Sequence, residues 1–175
     1  FDKDESVQGI ETDGLANTNI IWHGNKLLAL EEGHAPFELD PCTLESIGPC
    51  TFSDQLKGPM TAHPKIDPET GEMLFFGYNV DGALSERMSF HVVDNDGRLT
   101  RSEFFEAPFP AMVHDFITTR DYVIFPIMPL TGSIDRAMKG LPVYAWEPDK
   151  GSHVGVMPRS GSVDDLRWFT SDAAF

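Results

Sequence analysis

Asp67-Pro68-Glu69-Thr70-Gly71, followed almost at once by the apolar run 73–78, decides how this chain folds. Asp starts a turn by accepting from the backbone just beyond it, Pro presets the next φ, and Gly supplies a left-handed position. The same chemistry recurs at Asp40-Pro41, Asp94-Asn95-Asp96-Gly97, Arg120-Asp121 and Glu147-Pro148-Asp149-Lys150-Gly151. These turns start at intervals of 27, 27, 26 and 27 residues. Around them lie short runs at 19–22, 26–30, 73–78, 88–93, 112–118, 122–127, 143–146 and 153–157. The runs are rich in aromatic and β-branched residues and have the length of strands. Only residues 133–139 suggest a helix, of one or two turns. The fold class is all-β.

Regular hairpins imply a repeated antiparallel unit. Two hairpins, about 54 residues, make one four-stranded blade, so the chain holds about three blades of a β-propeller. Closed propellers have about four to eight. Three blades leave open sheet edges and an unfilled centre. The span 1–175 is therefore expected to be a partial propeller domain, with blades missing at one or both ends. A β-sandwich of about seven to nine strands fits the same length and stands as the alternative.

Composition narrows the function. There are 28 acids against 13 bases, a formal net charge of −15, and no basic run. Phosphate contacts need clustered Lys and Arg, so nucleic acid is not an expected partner. The acids are spread rather than blocked, as on a solvated surface. Hydrophobic content of 41% and charged content of 23% are those of an ordinary globular protein. Two cysteines, Cys42 and Cys50, are too few for a disulfide framework and form no metal knuckle. They read as idle or buried thiols of a reducing compartment, with a local disulfide as the lesser option. A cytoplasmic location is the expectation. No run is long enough for a membrane-spanning helix, and no signal segment opens the chain, which begins at Phe1.

The chemistry-bearing residues are histidines. His63 lies in Met60-Thr61-Ala62-His63-Pro64-Lys65-Ile66-Asp67, and His114 lies 51 residues later in Ala111-Met112-Val113-His114-Asp115-Phe116-Ile117. Each is expected inside a short apolar strand. Alternation then puts Met112, His114 and Phe116 on one face, and Thr61, His63 and Lys65 on one face. Taken singly, a histidine on an apolar face is more often a satisfied core residue than a ligand. The spacing of about two turn repeats changes that weighting, because residues one blade apart occupy matching positions about a propeller axis. His23 is expected at an exposed hairpin tip, His34 in a loop, and His91 and His153 on outer strands. No phosphate loop, nucleophile elbow or zinc-protease helix is present.

At these residues the chain resembles the carotenoid cleavage oxygenase family. Thr61-Ala62-His63-Pro64-Lys65, with Asp67-Pro68-Glu69-Thr70-Gly71-Glu72 and Phe76-Gly77-Tyr78, is similar to its first iron-histidine segment. Met112-Val113-His114-Asp115-Phe116, with Tyr122-Val123-Ile124-Phe125, is similar to the second. Leu28-Ala29-Leu30-Glu31-Glu32-Gly33, with Pro36 and Leu39-Asp40-Pro41, resembles the segment that carries an outer glutamate. The resemblance implies a seven-bladed propeller with Fe(2+) on its axis, held by four histidines and no carboxylate. It implies oxidative cleavage of a C=C bond by O2, with a carotenoid, apocarotenoid or stilbenoid as substrate and two carbonyl products. It assigns His63 and His114 as metal ligands and Glu32 as the acceptor that orients His114. It also places Glu31 and Met112 at the substrate cavity with Phe116 beside them, and it carries peripheral membrane contact of the whole protein as a further implication.

Departures from the family pattern matter as much. No segment here matches the third and fourth histidines, so the isolated chain is expected to be inactive. Glu31 stands where stilbene-cleaving members carry a lysine that bonds the phenolic oxygen. An acid there would repel a phenolate and accept from a neutral hydroxyl. Two other readings remain at this stage. One is a metal-free propeller scaffold; the other is a propeller hydrolase with carboxylate and amide ligands, for which only Asp115 and Asn79 offer themselves.

Overall fold

A computed structural model describes residues 15–173. Three consecutive stretches of chain each fold into a four-stranded antiparallel meander. The first contains β1 (Asn19–His23), β2 (Lys26–Leu30), β3 (Phe37–Leu39) and β4 (Ser46–Pro49). The second contains β5 (Lys65–Ile66), β6 (Met73–Gly77), β7 (Arg87–Val93) and β8 (Leu99–Glu106). The third runs in the order β14-β13-β10-β9, from β9 (Ile117–Thr118), β10 (Tyr122–Ile127), β13 (Ser152–Pro158) and β14 (Arg167–Ser171). Between β10 and β13 the chain leaves the blade as a separate ribbon of β11 (Leu130–Gly132) and β12 (Tyr144–Trp146), with α1 (Ile134–Met138) at its tip. These are three propeller blades in series, and the sandwich alternative falls: three four-stranded sheets stack one after another, the middle one packed on both faces, rather than two sheets facing each other.

The blades stack through two apolar cores. Strand β6 is buried at all five positions because its alternation feeds both. Met73 and Phe75 pack toward the first blade, with Leu28, Leu30, Phe52 and Met60. Leu74 and Phe76 pack toward the third, with Phe90, Phe116, Val123 and Phe125. Each fully buried Phe contributes about 1.5–3 kcal/mol by leaving water. The aromatic density of the second core also sets its geometry: Phe76 meets Phe116 edge-on at 5.2 Å, and Phe125 stacks on Phe116 at 6.1 Å.

The expected turns close one end of the blades. Asp40 Oδ1 accepts from the backbone of Cys42 and Thr43, Asp67 Oδ1 from Glu69 and Thr70, and Asp94 Oδ1 from Asp96 and Arg98. In the third blade Thr119 Oγ1 takes the same role, accepting from Asp121 and Tyr122. The β1–β2 turn has φ of 56° at Gly24 and 60° at Asn25, both left-handed as a tight hairpin requires.

Several expectations are corrected. The turn at Glu147 closes no blade hairpin: Pro148–Lys150 is a 3-10 turn, β12 pairs with β11, and β13 pairs with β10 and β14. Residues 112–118 form a ladder only at Ile117–Thr118, because Asp115 Oδ1 takes the Phe116 amide at 2.8 Å. Residues 61–64 likewise precede the ladder, since Pro64 has no N–H and Thr61 Oγ1 accepts from His63 N at 3.1 Å. Both histidines therefore sit just ahead of two-residue strands rather than within strands. Strict face alternation fails there too: Met112 and His114 are exposed, whereas Phe116 is buried. His23 is buried rather than exposed, its Nε2 2.9 Å from Gly71 O on the neighbouring blade. The two thiols, by contrast, are free as expected, Cys42 exposed and Cys50 buried.

Candidate metal centre

The loops at the other end of the blades converge on Glu32, His63 and His114. Glu32 follows β2, His63 leads into β5 and His114 leads into β9. Backbone and side-chain bonds hold each segment. Thr61 N donates to Phe76 O at 2.8 Å, Met60 N to His34 O at 3.0 Å, and Asn19 Nδ2 to Ala62 O at 2.9 Å. Around His114, Val113 and Phe116 are buried anchors, and Met112 N donates to Leu130 O at 3.0 Å.

One potential ligand atom from each of Glu32, His63 and His114 lies within 4.8 Å of the others. The two Nε2 atoms face each other at 3.0 Å, with the rings at 67° and their centroids 4.5 Å apart. Glu32 Oε1 contacts His114 Nδ1. An ionised carboxylate only accepts, so an acceptor beside Nδ1 favours the His114 tautomer that carries its proton there and turns the Nε2 lone pair toward His63. Two convergent Nε2 atoms share either one proton or one cation. Nitrogens bound to a metal at about 2.0–2.1 Å and near a right angle stand about 3 Å apart. The donor set fits a divalent ion that accepts imidazole nitrogen.

The outer partners are also defined. Tyr78 Oη donates to Glu32 Oε2 at 3.4 Å. Burial holds the Tyr78 phenol well above its ordinary pKa, and the Glu32 charge adds to that shift, so Tyr78 stays a donor. Lys65 Nζ binds Asp115 Oδ1 at 2.8 Å, joining the residues just beyond the two histidines. Glu31 turns to a different imidazole and contacts His34 Nδ1. Met112 is 40% exposed near His114, and Phe116 lies in the core beneath the Lys65 ammonium, 5.6 Å from Nζ to ring centroid.

Sequence reading brought Glu32, His63 and His114 together, and the structure has them adjacent. It gave no part in the site to Tyr78, nor to Lys65, and weighed Asp115 only as a hydrolase ligand. A signal for the latter two was present: opposite charges follow the two histidines, in His63-Pro64-Lys65 and His114-Asp115. Asp115 is committed to Lys65 and the Phe116 amide, which removes the carboxylate ligand that the hydrolase reading needed.

Residues 2–175 match the family model described as retinal pigment epithelial membrane protein. Isoeugenol monooxygenase of Pseudomonas putida is 46% identical over 174 residues, which is 99% of this chain and 36% of that protein. The crystal structure of Pseudomonas brassicacearum lignostilbene dioxygenase aligns with a TM-score of 0.85 at 42% identity, over 91% of this chain and 34% of that one. Cobalt-substituted ACO of Synechocystis aligns with a TM-score of 0.78 at 30% identity, over 93% and 36%. The chain spans about a third of the length of these relatives.

Proposed function

This chain belongs to the family of retinal pigment epithelial membrane protein, and on that premise we propose that the protein carrying it is a non-haem Fe(II) dioxygenase. It cleaves a C=C bond of a carotenoid, apocarotenoid or stilbenoid with O2 and releases two carbonyl products. Relatives named for isoeugenol and lignostilbene favour an aromatic alkene within that range. The observation that carries the reading is the 3.0 Å approach of His63 Nε2 and His114 Nε2, with Glu32 on the far nitrogen of His114.

In this reading His63 and His114 supply two neutral ligands, and Glu32 holds His114 in the tautomer that can bind. Tyr78 keeps Glu32 aimed by donating to its other oxygen. Bound Fe(II) would supply the open positions and the electrons that let O2 react with an alkene. Met112, exposed beside His114, offers soft apolar contact to such a substrate. Glu31 is drawn toward His34, and a hydroxyl approaching it meets an acceptor rather than the cation of a lysine. The scaffold reading requires the two imidazoles to share a proton instead of an ion.

Iron content separates the two. The complete protein should retain about one iron per molecule and turn over isoeugenol or a stilbene, and His114→Ala should lose both. A His114→Ala protein that keeps its full iron complement would end this assignment.

A further inference from the structure

We propose that Lys65 and Asp115 form a positioning latch between two blades, which sets the separation of His63 and His114 and thereby their affinity for a divalent metal. The inference rests on the metal reading above. Neither histidine is held by a ladder: His63 lies two residues before β5, His114 three before β9, and both strands are only two residues long. Backbone bonds anchor the two segments only as near as Thr61 and Met112, so the last step in placing the imidazoles falls to side-chain contacts. Lys65 stands two positions beyond His63, Asp115 is next to His114, and their 2.8 Å bond crosses the same blade junction as the imidazole pair.

Both partners are themselves fixed. Asp115 Oδ1 accepts from the Phe116 amide at 2.8 Å, so the carboxylate cannot swing away without releasing that donor. The Lys65 ammonium rests 5.6 Å from the centroid of the Phe116 ring, which is 1% exposed and packed in the core. The latch therefore connects the histidine loops to the rigid part of the second and third blades. Side-chain exposures of 31% and 50% mean that it adds little to folding stability. Its consequence falls on the site: without it the imidazoles sample a wider range of separations, and binding must pay the ordering entropy.

The test uses the complete protein, stripped of metal and titrated with Co(II), followed by visible absorption and by calorimetry. Lys65→Met and Asp115→Asn should each weaken Co(II) binding about tenfold, the scale of an outer contact of a metal ligand. Their thermal midpoints should stay within a few degrees of the parent, which a merely structural role would not allow alongside lost affinity. Lys65→Arg should recover the affinity, and about 1 M NaCl should bring the parent down toward Lys65→Met by screening the pair. Unchanged Co(II) affinity in both variants overturns the latch while leaving the metal reading intact. A parent protein that takes up no Co(II) overturns the metal reading, and the latch with it.

Discussion

His91 is packed in the core in a way that sets it apart from the histidines of the site. It is fully buried, neither ring nitrogen has a hydrogen-bond partner, and it stacks on Phe75 at 4.7 Å with Phe104 edge-on at 6.2 Å. Burial pushes its pKa down from 6.5 to about 4. The folded state thus holds His91 neutral where the unfolded chain would already be protonated. Its contribution is intact above about pH 6.5 and is lost as pH falls toward about 4, a total of about 3 kcal/mol. Replacing it with an apolar residue removes both that loss and an unsatisfied polar group. His91→Leu should therefore gain stability over the parent, and the gain should be larger at pH 4.5 than at pH 7 in urea unfolding. An equal gain at both pH values would show that His91 does not titrate on unfolding. His63 and His114 differ in kind: they are less buried, they point at each other, and one of them has a carboxylate behind it.

Gly77 carries the corresponding argument for an element. It ends β6, and a Cβ there would lie 2.3 Å from Pro59 O, in the segment that runs on to His63. That contact is with backbone, so the neighbour cannot rotate away. Gly77→Ala should cost about 1–3 kcal/mol, as overpacking does, and should weaken Co(II) binding by displacing residues 59–63. Denaturant midpoints together with metal titration would check both, and an unaltered metal affinity would separate the strand end from the site. The legibility of the elements follows the same local physics. Asp40, Asp67 and Asp94 announced their turns because the side chain that starts each turn also bonds its backbone. Glu147 has similar neighbours but reaches instead to Thr131 and Arg136, across the β11–β12 ribbon. No spacing rule distinguishes those two uses of a turn. The residues around the histidines misled for a related reason: their strand-like composition serves the core through Val113 and Phe116, while Asp115 and Pro64 deny the backbone a ladder.

At the scale of the whole molecule, the second blade is covered on both faces and the outer two on one each. The uncovered face of the first blade carries Ile20 and Trp22, 62% and 53% exposed, opposite Ala29 and Leu27 in the register. That of the third carries Tyr122 and Phe169, 48% and 56% exposed, on the face away from Val123 and Phe125. Each is the kind of surface that one blade offers to the next, and contiguous apolar faces of this sort drive association when left in water. Relatives about three times as long have the chain to supply further blades. The 175-residue polypeptide prepared alone should therefore self-associate, with a sedimentation coefficient that rises with concentration. Trp22→Lys combined with Phe169→Lys should shift it toward monomer, because each lysine would have to be desolvated at a blade-to-blade contact. The complete protein, with those faces covered, should show no such concentration dependence, and in it the same two substitutions should destabilise the fold instead. A polypeptide that remains monomeric at every concentration would mean that the two faces are not blade-packing surfaces, whatever their composition.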